Sequence, residues 1–416
     1  MSRHLQRAQM LMSQRRSELA EKELRQALVH DPNDALTHSL LAACLVDQEK
    51  FTDATDAAGQ AIHLAPDEPY SHYMMGQVMY HGNHFDEARE AANTAVELDP
   101  WDPDYFALIS AIELEQHRWS AALQAAEQGL EVEPDHVRCI NLRATSLMKL
   151  GRAEEAGQSL DVALQNQPDN SFSHANKGWT KLHQGKPREA LVHFREALRI
   201  DPNSEFARSG IVEAMKARNP IYRWLLSWFL FLSRLSPRVQ IFLVLGILFG
   251  QRLLVGLADS VPVLEPLVPF ILFGYLGFVW MTWCGPMLFN VVLRFDTFGR
   301  LVLSTKERHQ STIVGVYLLV GLGWVVAAAV TGQWVLAILG IPFALALIPL
   351  NGVFAAPNPT LFWIMAGVTA VATWFAIQAC IPGISSPNAF TYSILTSLYS
   401  TWASLFIIGS RKPKKI

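Results

Sequence analysis

The sequence predicts an all-α protein in two parts, a stack of helical hairpins followed by a polytopic helical bundle of the membrane-spanning kind. Three observations carry this. Prolines recur every 34 residues at Pro32, Pro66, Pro100, Pro134, Pro168 and Pro202. Charge is lopsided: residues 1–218 hold 22 of the 34 Lys+Arg and 33 of the 37 Asp+Glu, a net of −11, whereas the rest of the chain carries +8. No Asp, Glu, Lys or Arg stands between Arg308 and Arg411.

The repeat is more than a row of prolines. Twelve residues before each proline is an alanine: Ala20, Ala54, Ala88, Ala122, Ala156 and Ala190. Five before each is Ala27, Ala61, Ala95, Gly129, Ala163 or Ala197. Position 8 of each unit is small as well, at Ala8, Ala42, Gly76, Ser110, Ala144 and Gly178. Position 17 is aromatic in middle units, at Phe51, Phe85 and Trp119. Small residues at fixed places let two antiparallel helices approach closely, and proline closes the second helix before the next unit begins.

Six such units over residues 1–204 resemble the tetratricopeptide repeat family. The chain departs from the family pattern at Glu113 and Lys181, where a large ring is usual, and at Arg143 and Lys177, where leucine is usual. Residues 205–218 read as a capping helix for the last apolar face. The resemblance implies a right-handed superhelix whose first helices line a concave groove for a peptide or a partner helix. Carried over position by position, the groove residues are Tyr70, Tyr73, Gln77, Tyr80 and His81 of unit three. Unit five gives Arg138, Asn141, Thr145, Met148 and Lys149, and unit six gives Phe172, Trp179 and His183. Aromatic walls with a few polar groups suit a protein segment. The alternative is that Tyr70, Tyr73 and Tyr80 pack between repeats. The Lys/Asn arrangement by which some relatives hold a chaperone's terminal carboxylate is not reproduced.

Residues 219–238, NPIYRWLLSWFLFLSRLSPR, join the two parts. As a helix, Ile221–Ser236 reaches about 24 Å, short of a hydrocarbon core about 30 Å thick. Arg223, Ser227 and Arg234 share one face, with Trp224, Leu225, Trp228, Phe229 and Leu232 on the rest. A cationic stripe backed by Trp, Phe and Leu predicts an amphipathic elbow lying in the headgroup plane. Beyond it, apolar runs of spanning length fall at 239–258, 267–292, 312–331, 334–352, 361–381 and 389–409, with a basic tail at 410–416. Six spans place Arg294, Arg300, Lys306, Arg308 and the tail on the side of the repeats, and the opposite loops then carry Asp259 and Glu265 without a cation. The positive-inside rule makes that shared side the cytoplasm, and the apolar core of a signal peptide is missing from MSRHLQRAQM. The expected location is therefore a cytoplasmic (inner) membrane, with repeats and C-terminus inside.

Several features of this half have two readings. Arg252 either snorkels to the headgroups or serves as a buried cation. Ser393, Ser397, Ser400 and Ser404 either pack helices closely or line a polar path, and Gly246 and Gly250 form a lone GxxxG. In the loop Arg294–Gln310, Arg294, Phe295, Phe298 and Arg300 either anchor a topogenic basic loop at the bilayer surface or dock on the acidic repeats.

The acidic repeat half excludes a phosphate-tracking surface, so no nucleic-acid partner is expected. Cys44, Cys139, Cys284 and Cys380 are scattered, without metal or CxxC spacing. His81 and His84 flank a turn with no third ligand in place, so no metal or cofactor is expected. Catalytic signatures such as HExxH, GxSxG or a phosphate loop are missing, and a membrane enzyme would lack an acid–base or nucleophile set. The expectation is a non-enzymatic, membrane-anchored scaffold with a protein partner in its groove, the lipid bilayer around its bundle and, as a further partner, another membrane protein. The alternative is a repeat-regulated transporter or channel component for an apolar or lipid-like substrate.

Overall fold

The computed structural model describes residues 3–235, 239, 268–295, 303–333, 335–356, 358–380, 392 and 396, and every regular element among them is an α-helix. Packing separates the chain into two compact units, Met1–Gln184 with Glu196–Asn203, and Gly185–Arg195 with Ser204–Ile416.

In the first unit the helices come in hairpins. They are α1 (Arg3–Ser13) and α2 (Ser17–His30), α3 (Ala35–Asp47) and α4 (Phe51–Leu64), α5 (Pro69–Gly82) and α6 (Phe85–Leu98). The series continues with α7 (Pro103–Glu115) and α8 (Trp119–Val132), then α9 (Val137–Lys149) and α10 (Ala153–Asn166), and closes with α11 (Ser171–His183), while α12 (Pro187–Ile200) is divided between the two units after Arg195. The alanines of the repeat, from Ala20 to Ala190, have no exposed surface, as close helix approach requires. The first helices also pack on one another, α3 on α5, α5 on α7, α7 on α9 and α9 on α11, and so form the inner wall of the stack.

Two periodic devices hold the hairpins. Position 15 of every unit is left-handed: Arg15, Glu49, Asn83, His117, Gly151 and Gly185 all have φ between 57° and 85°. Only two of these are glycine, so four units accept a strained L-residue at the turn. At the junctions, His38, His72 and His174 each donate Nε2–H to the carbonyl of the proline six residues earlier, Pro32, Pro66 and Pro168, at 3.0, 2.7 and 3.0 Å.

Three of the residues that depart from the family pattern, Glu113, Arg143 and Lys177, find partners on neighbouring helices. Buried Glu113 receives Arg89 Nε at 2.8 Å and Arg118 Nε at 2.6 Å. Arg143 donates to Ser159 and pairs with Glu127. Lys177 is buried and donates Nζ to the Gly157 carbonyl at 2.6 Å and to Asp161 at 2.7 Å. A charge taken out of water needs such company.

In the second unit, α13 (Glu205–Lys216) is the expected cap sequence. Its Gly210 leaves no room for a Cβ, because the Phe194 ring lies against it. It is followed by α14 (Pro220–Leu232) and by α15 (Val268–Leu293), which matches the run expected at 267–292. Next comes α16 (Thr305–Thr331), which begins seven residues before the expected 312 because a Ser304–Glu307 capping box starts it early. Left-handed Gly332 ends it, in the two-residue gap between the runs expected at 312–331 and 334–352. The run expected at 334–352 is broken into α17 (Val335–Ile338), α18 (Ile341–Leu345) and α19 (Leu347–Ala355). Pro342 and Pro349 remove two backbone donors, and Gly340 rests on the Gly321 backbone so closely that a Cβ there would stand 2.8 Å from the Gly321 oxygen. Trp280 of α15 donates its indole N–H to the Ala344 carbonyl at 2.9 Å, satisfying an acceptor beside the break. The last described helix is α20 (Pro359–Cys380).

Among the described residues, three stretches are long and apolar enough to cross a membrane: Thr305–Thr331, Leu336–Phe354 and Pro359–Gln378. The runs expected at 239–258 and 389–409, apart from Val239, Tyr392 and Thr396, lie outside the described residues. So do Arg252, the serine row, the Gly246–Gly250 pair, Asp259, Glu265 and the basic tail.

Candidate partner-binding groove

The inner wall is built from the same face of successive first helices, so residues 34 apart in sequence become neighbours. One row runs Tyr70, Asp104, Arg138, Phe172. Tyr73 stands one turn on from Tyr70, and Gln77 one turn further. Pro69 starts α5 and sets Tyr70 in its first turn.

These side chains meet in a notch across units three to five. The Tyr73 ring lies 6.0 Å from Tyr70 and 5.2 Å from Tyr105. Its phenolic oxygen accepts from Gln77 Nε2 at 2.8 Å and from Arg138 Nη1 at 3.1 Å. Arg138 Nη1 also pairs with Asp104 Oδ1 at 3.3 Å, and His136 Nε2 stands 3.7 Å from that oxygen. Arg138 keeps 40% of its side chain exposed, so the guanidinium is fixed at two points and still open to the wall. Burial pushes the phenols of Tyr70, Tyr73 and Tyr80 up, Tyr80 to about 12, and all three remain neutral donors at physiological pH.

Other expected groove residues sit elsewhere on the wall. Tyr80 is buried in the core with Ala88, Leu108 and Ile112, its ring edge-on to His81 and Phe85. Asn141 is buried between α9 and α11: its Nδ2 donates to Ser173 Oγ and its Oδ1 accepts from Asn176, each at 2.8 Å. Buried Thr145 donates to the Asn141 carbonyl, and Met148 Sδ accepts from Thr180. Asn141 and Met148 therefore join α9 to α11, and Thr145 is buried with its hydroxyl turned back on its own helix. Lys149 places Nζ 5.6 Å over the Trp119 ring. Phe172 is exposed, Trp179 is half-buried against the Leu147–Leu160 cluster, and His183 is half-buried.

Sequence reasoning missed Asp104, Tyr105 and His136. The 34-residue row would have found Asp104, because it stands where Tyr70 and Arg138 stand in their units. Of the loop residues, Arg294 donates to Thr312 Oγ1 at 2.6 Å and Phe295 is exposed, while Phe298 and Arg300 lie outside the described residues. Among the described residues, no group of three or more His, Cys, Asp or Glu side chains could hold a metal ion.

Family models for the tetratricopeptide repeat match residues 5–69, 45–112, 112–171 and 173–204. No curated protein matches the chain. Among solved structures, the chain is similar to YrrB, described as a repeat protein with an unusual peptide-binding site. That match has 18% identity and a TM-score of 0.33, covering 44% of this chain and 95% of that one. It is similar to the Cut9–Hcn1 hetero-tetramer of the APC/C at 16% identity and a TM-score of 0.45, covering 51% of this chain and 42% of that one. PilF of Pseudomonas aeruginosa matches at 19% identity and a TM-score of 0.41, covering 50% and 94%.

Proposed function

Residues 5–204 of this chain belong to the tetratricopeptide repeat family, and from that premise we propose a membrane-anchored scaffold that holds a protein segment on the inner wall of its repeats. The observation that carries the reading is the notch of Tyr70, Tyr73, Gln77, Tyr105 and Arg138. It combines rigid aromatic surface with donors already held in place, so a bound segment orders few side chains. Phe172 and Lys149 extend the same wall. The bundle supplies the anchor. Three described stretches have spanning length and apolarity, and the full reading is six crossings with repeats and C-terminus in the cytoplasm. The assigned role is non-enzymatic.

The test is affinity capture with the full chain in detergent, comparing native protein with Tyr73→Ala/Arg138→Ala. Proteins bound through the notch drop out of the variant's eluate by about tenfold or more, as for loss of an aromatic or arginine hot spot. Equal capture by both would refute the notch.

One observation favours a second reading, a bundle that passes an apolar or lipid-like substrate under control of the repeats. A cavity of about 450 Å³ is lined by Tyr317, Leu350, Val353, Thr369, Thr373 and Trp374, beside the broken α17–α19 segment. Its one polar pair is Tyr317 Oη with Thr373 Oγ1 at 2.6 Å. Interrupted helices beside a cavity are a recurring transporter feature. Thr369→Leu/Thr373→Leu fills that space, and it abolishes flux under the second reading while leaving capture intact under the first.

A further inference from the structure

Residues 219–238 expect a helix lying flat in the headgroup plane, and the contacts of α14 point elsewhere. The Tyr222 ring lies 4.6 Å from Phe289, Leu225 rests against Gly285, and the Trp228 ring lies 5.2 Å from Phe278. Trp224 reaches the same Phe278 at 5.7 Å. Numbers rise along α14 as they fall along α15. Tyr222 to Trp228 of α14 thus meet twelve residues of α15, Phe278 to Phe289, about 16 Å from end to end, in antiparallel order. Gly285 is what allows it, because any side chain there would collide with Leu225.

The direction follows from the ends. Val212 and Met215 of α13 pack with Leu293 and Leu303, at the end of α15 that leads into Arg294. From there α14 runs back along a helix that contains no charged residue. Arg223 and Ser227 of the polar stripe are exposed, and each also bonds a backbone carbonyl. Arg223 Nε donates to the Ala217 carbonyl at 3.1 Å, and Ser227 Oγ donates to the Arg223 carbonyl at 2.9 Å. The entry angle is fixed by a buried knot: Tyr222 donates its hydroxyl to Glu213 at 2.5 Å, Lys216 reaches Glu213 at 3.1 Å, and the ammonium lies 5.5 Å over the Tyr222 ring. The exposed surface of α14 shows Ile221, Trp224 and Phe231, together with Arg223 and Ser227 in its first two turns.

We propose that α14 is a half-span, inserted lengthwise beside α15 from the repeat side, with lipid acyl chains covering its Ile221–Trp224–Phe231 edge. This rests on the membrane reading of the bundle. Thirteen residues reach about 20 Å, enough to enter a core of about 30 Å and not to cross it. Arg234, just past the helix end, is half-buried by protein, the setting in which a bilayer tolerates a guanidinium.

Spin labels on single cysteines test the placement in the full chain, reconstituted into phosphatidylcholine–phosphatidylglycerol vesicles. Labels go at Ile221, Trp224, Ser227 and Phe231, with Leu319 and Val326 of α16 as bundle controls, and depth is read from oxygen against nickel-chelate collision rates. The half-span gives depths that increase steadily from 221 to 231, by about 10 Å after allowance for tilt. Depths that oscillate with the helical turn and show no trend, while Leu319 and Val326 are deep, overturn the insertion alone. Controls in water overturn the membrane reading, and this inference with it. Where a label perturbs folding, the antiparallel register is read by disulfide formation, with Leu225→Cys joining Gly285→Cys and not Phe278→Cys; the reverse pattern overturns the placement.

Discussion

Glu113 is a carboxylate where a large ring is usual for a repeat of this kind, and its removal tests whether the polar replacements hold the stack. Its side chain is 7% exposed, accepts from Arg89 and pairs in charge with Arg118, whose own side chains are 24% and 45% exposed. Breaking a fully buried pair costs about 3–5 kcal/mol. Here the cost is lower, because Arg118 can rehydrate and Arg89 keeps Asp86 and Gln116. Glu113→Ala is therefore expected to destabilise unit four by about 2 kcal/mol, and Glu113→Gln by about 1 kcal/mol. Native-state hydrogen exchange on the full chain reads this locally: about 2 kcal/mol is about a 30-fold faster exchange of α7 and α8 amides. An increase below about threefold would show that the arginines hold the carboxylate without stabilising the repeat. The triple replacement Arg89→Leu/Glu113→Phe/Arg118→Leu should then lie within about 1 kcal/mol of native, since well-packed apolar groups substitute for buried ion pairs.

Other outcomes follow from the same kind of packing. Burial pushes the Glu21 carboxyl up, but hydrogen bonds from Arg25, Gln48 and Lys50 outweigh it and bring it down to about 2. Its stabilisation is present above the ordinary carboxylate range and lost as pH falls through about 2. Screening at the half-exposed Arg25 and Lys50 keeps it to about 1 kcal/mol, read as faster α2–α3 exchange in acid, and Glu21→Gln removes that dependence. Gly129 takes the place of an alanine because a Cβ there would stand 2.6 Å from Cys139 Sγ. Gly129→Ala should cost about 1–2 kcal/mol in thermal unfolding, and Cys139→Ala in the same chain should restore most of it. Glu49→Gly relieves a left-handed turn with φ of 60° and should stabilise unit two by about 1 kcal/mol; no change would mean the turn is unstrained.

The hairpin stack was legible because its signals repeat: a proline and three small residues kept in register over six units outvote any single departure. The polar substitutions were visible as departures, but their partners were not. Lys177 finds Asp161 sixteen residues back, and Glu113 finds Arg89 twenty-four back, distances that only the folded hairpins define. For the groove, position within the repeat located the wall and failed to say which residues remain open. Asn141 and Thr145 share their offsets with Tyr73 and Gln77, yet the Asn141–Asn176–Ser173 bonds close them off. In the bundle, hydropathy found the apolar runs and was blind to the break at Gly340, because Gly and Pro count as nearly neutral on such a scale. For residues 219–238 a helical wheel shows which face is polar and not which backbone carbonyls that face also bonds.

The histidine ties at the repeat junctions bear on how the chain matures. Each links a ring to a carbonyl only six positions upstream, so it is complete as soon as the first turn of the following helix has left the ribosome. Three of the junctions can thus be set one after another during synthesis, before any distant part of the polypeptide exists. Stalling translation once His72 has cleared the ribosomal exit tunnel should already trap the second elbow in its final geometry.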